Sequence, residues 1–188
     1  EKRVYNLITL YSGILIIFVI GPANFQLQLP WYAQILNLCF GLFSLICFFV
    51  SFSNNKQFVK TFVILSLFFA DSIWFANGGS LGTIILFLGI HMIYSAILMR
   101  GKFRFYLSLF NICNALTLLV IEKNFPNSIT QYSSNDERFY DLLVGYGIVG
   151  FSLYLIVNLV MKNYERERRE LKEQNKVLEE LSLKDHLT

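Results

Sequence analysis

The chain has 188 residues, 55% of them hydrophobic and 16% aromatic, with only 15% charged and a net charge of +3. The charges are bunched between long apolar runs instead of dispersed, which excludes a soluble globular domain and points to an α-helical integral membrane protein. The small positive balance is no sign of nucleic-acid binding, because the cations stand at the ends of apolar runs, where membrane proteins keep them.

In chain order, residues 4–21 form the first predicted span, stopped by the breaker Gly21-Pro22, and residues 23–30 a short loop. Residues 31–52 are the second span, with Trp31 and Tyr32 as interfacial anchors, and residues 53–57 a polar turn. Residues 58–76 are the third, followed by Asn77-Gly78-Gly79-Ser80-Leu81, a turn whose glycines supply positive φ. Residues 82–99 are the fourth span, 100–102 a basic turn, and 103–121 the fifth span. Residues 122–138 make the longest loop, and residues 139–161 the sixth span. Each run is about 18–23 residues, enough to cross roughly 30 Å of hydrocarbon at 1.5 Å per residue. Cys39, Cys47 and Cys113 lie inside these runs and read as small buried hydrophobes, with neither disulfide nor metal-ligand spacing. Glu1 stands where a Met would open a gene product, so a preceding segment is expected. The first run is as long as a spanning helix and is not read as a cleavable signal.

Lys2 and Arg3, Lys56 and Lys60, the Arg100, Lys102 and Arg104 group, and the cluster at residues 162–169 fall on one side of a six-span arrangement. Only Lys123 and Arg138 fall on the other. The positive-inside rule then puts both termini in the cytoplasm.

Polar residues inside spans are costly and so informative. Asp71 lies about five residues from the outer end of the third span, roughly 8 Å deep, with Trp74 at i+3 and Asn77 at the mouth. His91 on the fourth span, and Asn111 and Asn114 on the fifth, lie about as deep as one another, roughly 13 Å. These six are read as lining an outward-facing cup for a small amphipathic ligand of unknown identity, rimmed by Trp31, Tyr32 and Glu122. The plainer alternative is that they hydrogen-bond neighbouring helices, as membrane bundles do routinely. No strained-turn Ser nucleophile, second His or carboxylate pair marks a catalytic site, and the glycine turn lacks the Lys and preceding strand of a phosphate loop. Gly145, Gly147 and Gly150 on the sixth span admit a close neighbour without forming a GxxxG motif.

From residue 162 the composition changes to KNYERERRELKEQNKVLEELSLKDHLT, free of Gly and Pro and rich in helix formers. Tyr164, Leu171, Leu178 and Leu181 follow heptad spacing, with Glu167 and Gln174 at the remaining seam positions. That predicts a short parallel homodimeric coiled coil, its polar seam positions lowering stability and allowing more than one register. The predicted architecture is therefore an all-α six-helix transmembrane domain, residues 1–161, followed by a cytoplasmic coiled-coil signalling helix, residues 162–188. Nothing interrupts the chain between the sixth span and this helix, so a rotation or tilt of the one passes into the other.

The ending Leu181-Ser182-Leu183-Lys184-Asp185-His186-Leu187-Thr188 resembles the junction L-S-x-x-D-x-L-T at which diguanylate cyclases of the GGDEF family pass from connecting helix to catalytic domain. Leu181, Ser182, Asp185, Leu187 and Thr188 match it. The resemblance implies a bacterial inner-membrane sensor whose coil brings two cyclase domains together to condense two GTP into cyclic di-GMP. The family's active-site loop, metal-binding carboxylates and guanine-contacting residues are not among these 188 residues, so no catalytic residue, metal or cofactor is assigned here. The implied cyclase domain would use Mg and GTP. Two other readings stay open: the sensor of a histidine kinase, although Asp185-His186-Leu187-Thr188 lacks a phosphorylation-box pattern, and a small transporter or channel, which would need more charges at matched depth.

Overall fold

A computed structural model describes residues 2–185, with side chains from 2 to 179. It divides into two units, Glu1–Gly150 and Phe151–Thr188. Among the described residues every regular element is helical, and five helical stretches are long and apolar enough to cross a membrane, the pattern of a multi-pass membrane protein.

In the first unit, α1 (Lys2–Leu15) leads through a π-helical segment, Ile16–Ile20, into α2 (Gly21–Gln26). The expected break at Gly21-Pro22 does not occur. A proline lacks an N–H and its ring presses on the carbonyl four residues back. Here the helix widens just before it, so that the Gly21 N–H donates to Ile16 O, and Pro22 falls in the first turn of α2, where no N–H is needed. The apolar helix then runs Lys2–Gln26.

Helix α3 (Trp31–Asn54) follows Pro30 and ends where Asn55 takes a left-handed φ of 59°. It packs along α1, and Ser51 Oγ donates to Asn6 Oδ1 at 2.5 Å between them. Helix α4 (Val59–Ala76) meets α3 through the stacked rings of Phe40 and Phe69, 4.6 Å apart, a favourable offset arrangement. Helix α5 (Ile84–Leu98) lies against α4 and α6 (Gly101–Asn124). With 15 residues it rises about 22 Å, short of the 18-residue run expected there. Of that run, Gly82 and Thr83 belong to the largely buried loop that begins at Asn77, and Met99 follows the helix. The core lies between α4 and its neighbours, around Leu67, Ile73, Trp74, Leu88, Leu118 and Ile129.

Helix α7 (Asn135–Asp185) opens with a sequence-legible cap. Ser134 Oγ accepts from the Glu137 N–H at 3.1 Å, and the Glu137 carboxylate accepts from the Ser133 N–H at 2.8 Å. Asp136 and Glu137 place negative charge at its positive end.

In the second unit, Tyr164, Leu171 and Leu178 of the heptad stripe are all exposed. Arg166 and Glu170 form an i,i+4 ion pair of 3.5 Å on the solvated face. The seam position Leu181 and the junction at residues 181–188 lie outside the residues whose side chains are described.

Two of the three cysteines correct the sequence expectation: Cys47 is buried, but Cys39 and Cys113 are exposed. An apolar run in a membrane protein is apolar on its outward face too, so an apolar context does not by itself place a residue in the interior.

Candidate functional site

Two places in the first unit bear on a site. The first is the loop from Asn77 to Thr83, whose backbone departs from helix because Gly78 and Gly79 take φ values of 68° and 54°. A non-helical stretch buried at the end of apolar helices must satisfy its own N–H and C=O groups. The Gly78 N–H donates to Thr130 O at 3.1 Å, and the Thr130 N–H to Phe75 O at 2.9 Å. The Ser80 N–H and hydroxyl both donate to the Glu122 carboxylate, at 2.9 and 2.6 Å. Thr83, just before α5, donates to Asp141 Oδ2 through its N–H and its hydroxyl, both at 3.0 Å. Tyr132 adds its phenol to the same oxygen at 2.7 Å, and Asn77 Nδ2 reaches Asp141 Oδ1 at 3.3 Å. Two carboxylates from α6 and α7 thus hold the loop, and Asp141 also lies at the positive end of the α5 dipole. Burial, then the neighbouring Asp141 carboxylate, raises the Tyr132 pKa above its ordinary range, so the phenol stays a donor. Gly145 sits one turn along α7 from Asp141, where a methyl group would fall 2.1 Å from Thr83 Cγ2. That close approach accounts for one of the three glycines noted on this span.

The second place is a cavity of about 170 Å³ between α4, α5 and α6, walled mostly by apolar groups such as Leu67, Leu88, Met92 and Ala115. Trp74 and Asn111 also line it. Trp74 is fully buried, and among the described residues neither its indole N–H nor Asn111 Oδ1 has a hydrogen-bond partner. Asn111 Nδ2 is engaged, donating to Ser95 Oγ at 3.3 Å.

The six residues read as one cup have separate partners. Trp74 and Asn111 line the cavity. Asn77 belongs to the loop network. Asp71 and Asn114 pair with each other, Nδ2 donating to Oδ1 at 2.7 Å between α4 and α6. His91 Nε2 bonds Val63 O at 3.1 Å, and its ring lies edge-on to Tyr94 at 4.8 Å. His91 also approaches Asn111 without meeting hydrogen-bond geometry, leaving its Nδ1 unpartnered. Glu122, placed on the rim, holds Ser80 instead, while Trp31 is exposed and packs edge-on against Tyr32 at 6.4 Å.

Asp141 and Tyr132 escaped the sequence reading. The signal was present for Asp141: it is the sole charged residue within residues 139–161, and the cost argument applied to Asp71 applies to it equally. Among the described residues no group of three His, Cys, Asp or Glu side chains gathers to hold a metal ion. Neither known protein families, curated proteins nor solved structures yield a match to the chain.

Proposed function

We propose that this chain is a transmembrane sensor with six spans, α5 being the short fourth, and that it relays a small-ligand or membrane signal to a diguanylate cyclase domain. The observation that supports this most is α7. One helix carries both Asp141, which ties the Asn77–Thr83 loop, and the exposed heptad stripe of Tyr164, Leu171 and Leu178. An exposed stripe of this spacing is covered by a second copy in a parallel coil. In this reading both termini are cytoplasmic in a bacterial inner membrane, and the junction-like ending at residues 181–188 leads into the GGDEF domain. Ligand binding in the bundle alters α7, and the coil converts that change into the alignment of two cyclase domains.

The test is the product of the natural gene, assayed in isolated membranes with GTP and Mg. The expected result is cyclic di-GMP, and its synthesis is expected to change when Asp71→Asn or Trp74→Ala is introduced. Synthesis of no cyclic di-GMP overturns the cyclase assignment. Unaltered synthesis per folded molecule in both variants overturns a sensory role for these residues.

A further inference from the structure

We propose that the corner where the start of α4 meets the start of α6 holds the phosphate of an anionic phospholipid, with Lys60, Lys102 and Arg104 as its cations. This site needs only that the two helices span a bilayer, and it stands apart from the sensor reading.

From Lys2 to Ile121 the chain carries seven Lys and Arg residues against one acid, Asp71. That acid is engaged by Asn114 and lies roughly 16 Å of helix beyond Lys60, too far to neutralise the cations. Lys60 Nζ lies 5.3 Å from the centre of the Phe103 ring, which joins the first turns of α4 and α6. Lys60, Lys102 and Arg104 are exposed, and among the described residues no carboxylate pairs with any of them. Arg104 commits only its Nε, which donates to Met99 O at 2.7 Å, so its two terminal nitrogens are left for an anion. Helix α6 also opens without a capping side chain or an acid in its first turn, and the positive end of its dipole adds to these charges instead of offsetting them. Like charges gathered without a counter-charge repel one another, and a bound anion relieves them.

The surface one turn deeper separates a lipid from a soluble phosphate. Ile64 follows Lys60 at i+4, and Tyr106 follows Lys102 at i+4, so each lies on the same helix face as its cation and further into the apolar span. Ile64 is 42% exposed and Tyr106 63%, with Phe103 at 38% beside Lys60. A headgroup phosphate held at the corner therefore continues into acyl chains that lie against exposed apolar side chains. A free phosphate leaves that surface unused. Basic groups between spanning helices hold anionic headgroups in this way, and the long stems of Lys and Arg carry the charge to headgroup level.

The probes are phosphatidylglycerol and phosphatidylcholine with the same acyl chains, in equal amounts in nanodiscs that hold the 188-residue chain. After transfer to detergent, native mass spectrometry counts which lipid stays bound. The expected result is retention of phosphatidylglycerol over phosphatidylcholine by about fivefold or more, the value of one cation near an anionic surface. Lys60→Gln combined with Lys102→Gln is expected to bring the two lipids to equal retention, with helicity and thermal midpoint unchanged because both side chains are exposed. Lys60→Arg combined with Lys102→Arg should keep the preference, and so should Lys123→Gln, which removes an exposed cation in the last turn of the same helix. Glycerol phosphate in large excess is expected to leave the lipid in place. Equal retention of both lipids by the native chain overturns the site. A preference that survives the double Gln variant, or that Lys123→Gln abolishes as completely, overturns its location at this corner. Displacement by glycerol phosphate overturns the lipid as its occupant.

Discussion

Replacing Asp141 by alanine removes the one acceptor shared by four donors: the Thr83 N–H and hydroxyl at 3.0 Å, the Tyr132 phenol at 2.7 Å and Asn77 Nδ2 at 3.3 Å. Two of these have a way out. The Thr83 hydroxyl rotates freely, and the Tyr132 phenol already lies 3.3 Å from Asn77 Oδ1. The Thr83 N–H and Asn77 Nδ2 have none, and Asn77 and Thr83 are buried at 5% and 3% exposure. Each buried donor left unmet costs about 1–3 kcal/mol, so the variant loses about 2–6 kcal/mol. At about 2–4 °C per kcal/mol for a chain of this length, the thermal midpoint in detergent falls on the order of 10 °C. Asp141→Asn keeps one acceptor oxygen and turns the other site into a donor, and should lose about half as much. Asp136→Ala, an exposed carboxylate in the first turn of the same helix, removes only a helix-end charge and is expected to cost about 0.3–1 kcal/mol. A midpoint for Asp141→Ala within about 2 °C of that control refutes the account of the loop as held by this carboxylate.

Tyr132→Phe removes a phenol whose pKa is raised in the folded chain by burial and by Asp141. A raised folded value means the contribution is intact below about pH 10, the ordinary tyrosine value, and is lost above it as the unfolded chain gives up its proton first. The native chain should therefore lose stability more steeply than Tyr132→Phe above pH 10, and parallel alkaline titrations contradict this. For Asp71 and Asn114, a double-mutant cycle with alanine should give a coupling of about 0.6 to 1.7 kcal/mol, the range of interhelical hydrogen bonds in membranes; zero coupling removes the pair. Gly145→Ala drives a methyl group onto Thr83 and should destabilise by about 1–3 kcal/mol, whereas Gly147→Ala, open on all sides, should not. In membranes, Leu178→Cys should crosslink two copies more efficiently than Lys176→Cys or Glu179→Cys, and equal yields from all three exclude a coil with this seam.

What the amino-acid order determined alone is whatever depends on local periodicity and the cost of putting groups in hydrocarbon. Apolar runs of spanning length became α1–α2, α3, α4, α6 and the start of α7, because a segment in lipid can satisfy its backbone only as a helix. The glycine turn after Ala76 was legible for the same local reason: Gly78 and Gly79 alone make its positive φ cheap. The tertiary structure decided which polar groups meet. His91, Asn111 and Asn114 look equivalent when judged by depth alone, with Asp71 about one turn shallower, yet depth fixes position along a helix and not rotation about it. A carboxylate finds Asn114, the imidazole finds Val63 O, and the indole of Trp74 finds nothing, depending on how three helices turn toward one another. Pro22 was misread because a helix end was judged from the residue alone, while a π turn upstream absorbs the missing donor. Beyond local reading too was the tie between Asp141 and Thr83, 58 residues apart. The sequence marks each end as expensive or in need of a cap, but only the folded approach of Thr83 to Asp141 shows that one group meets both needs.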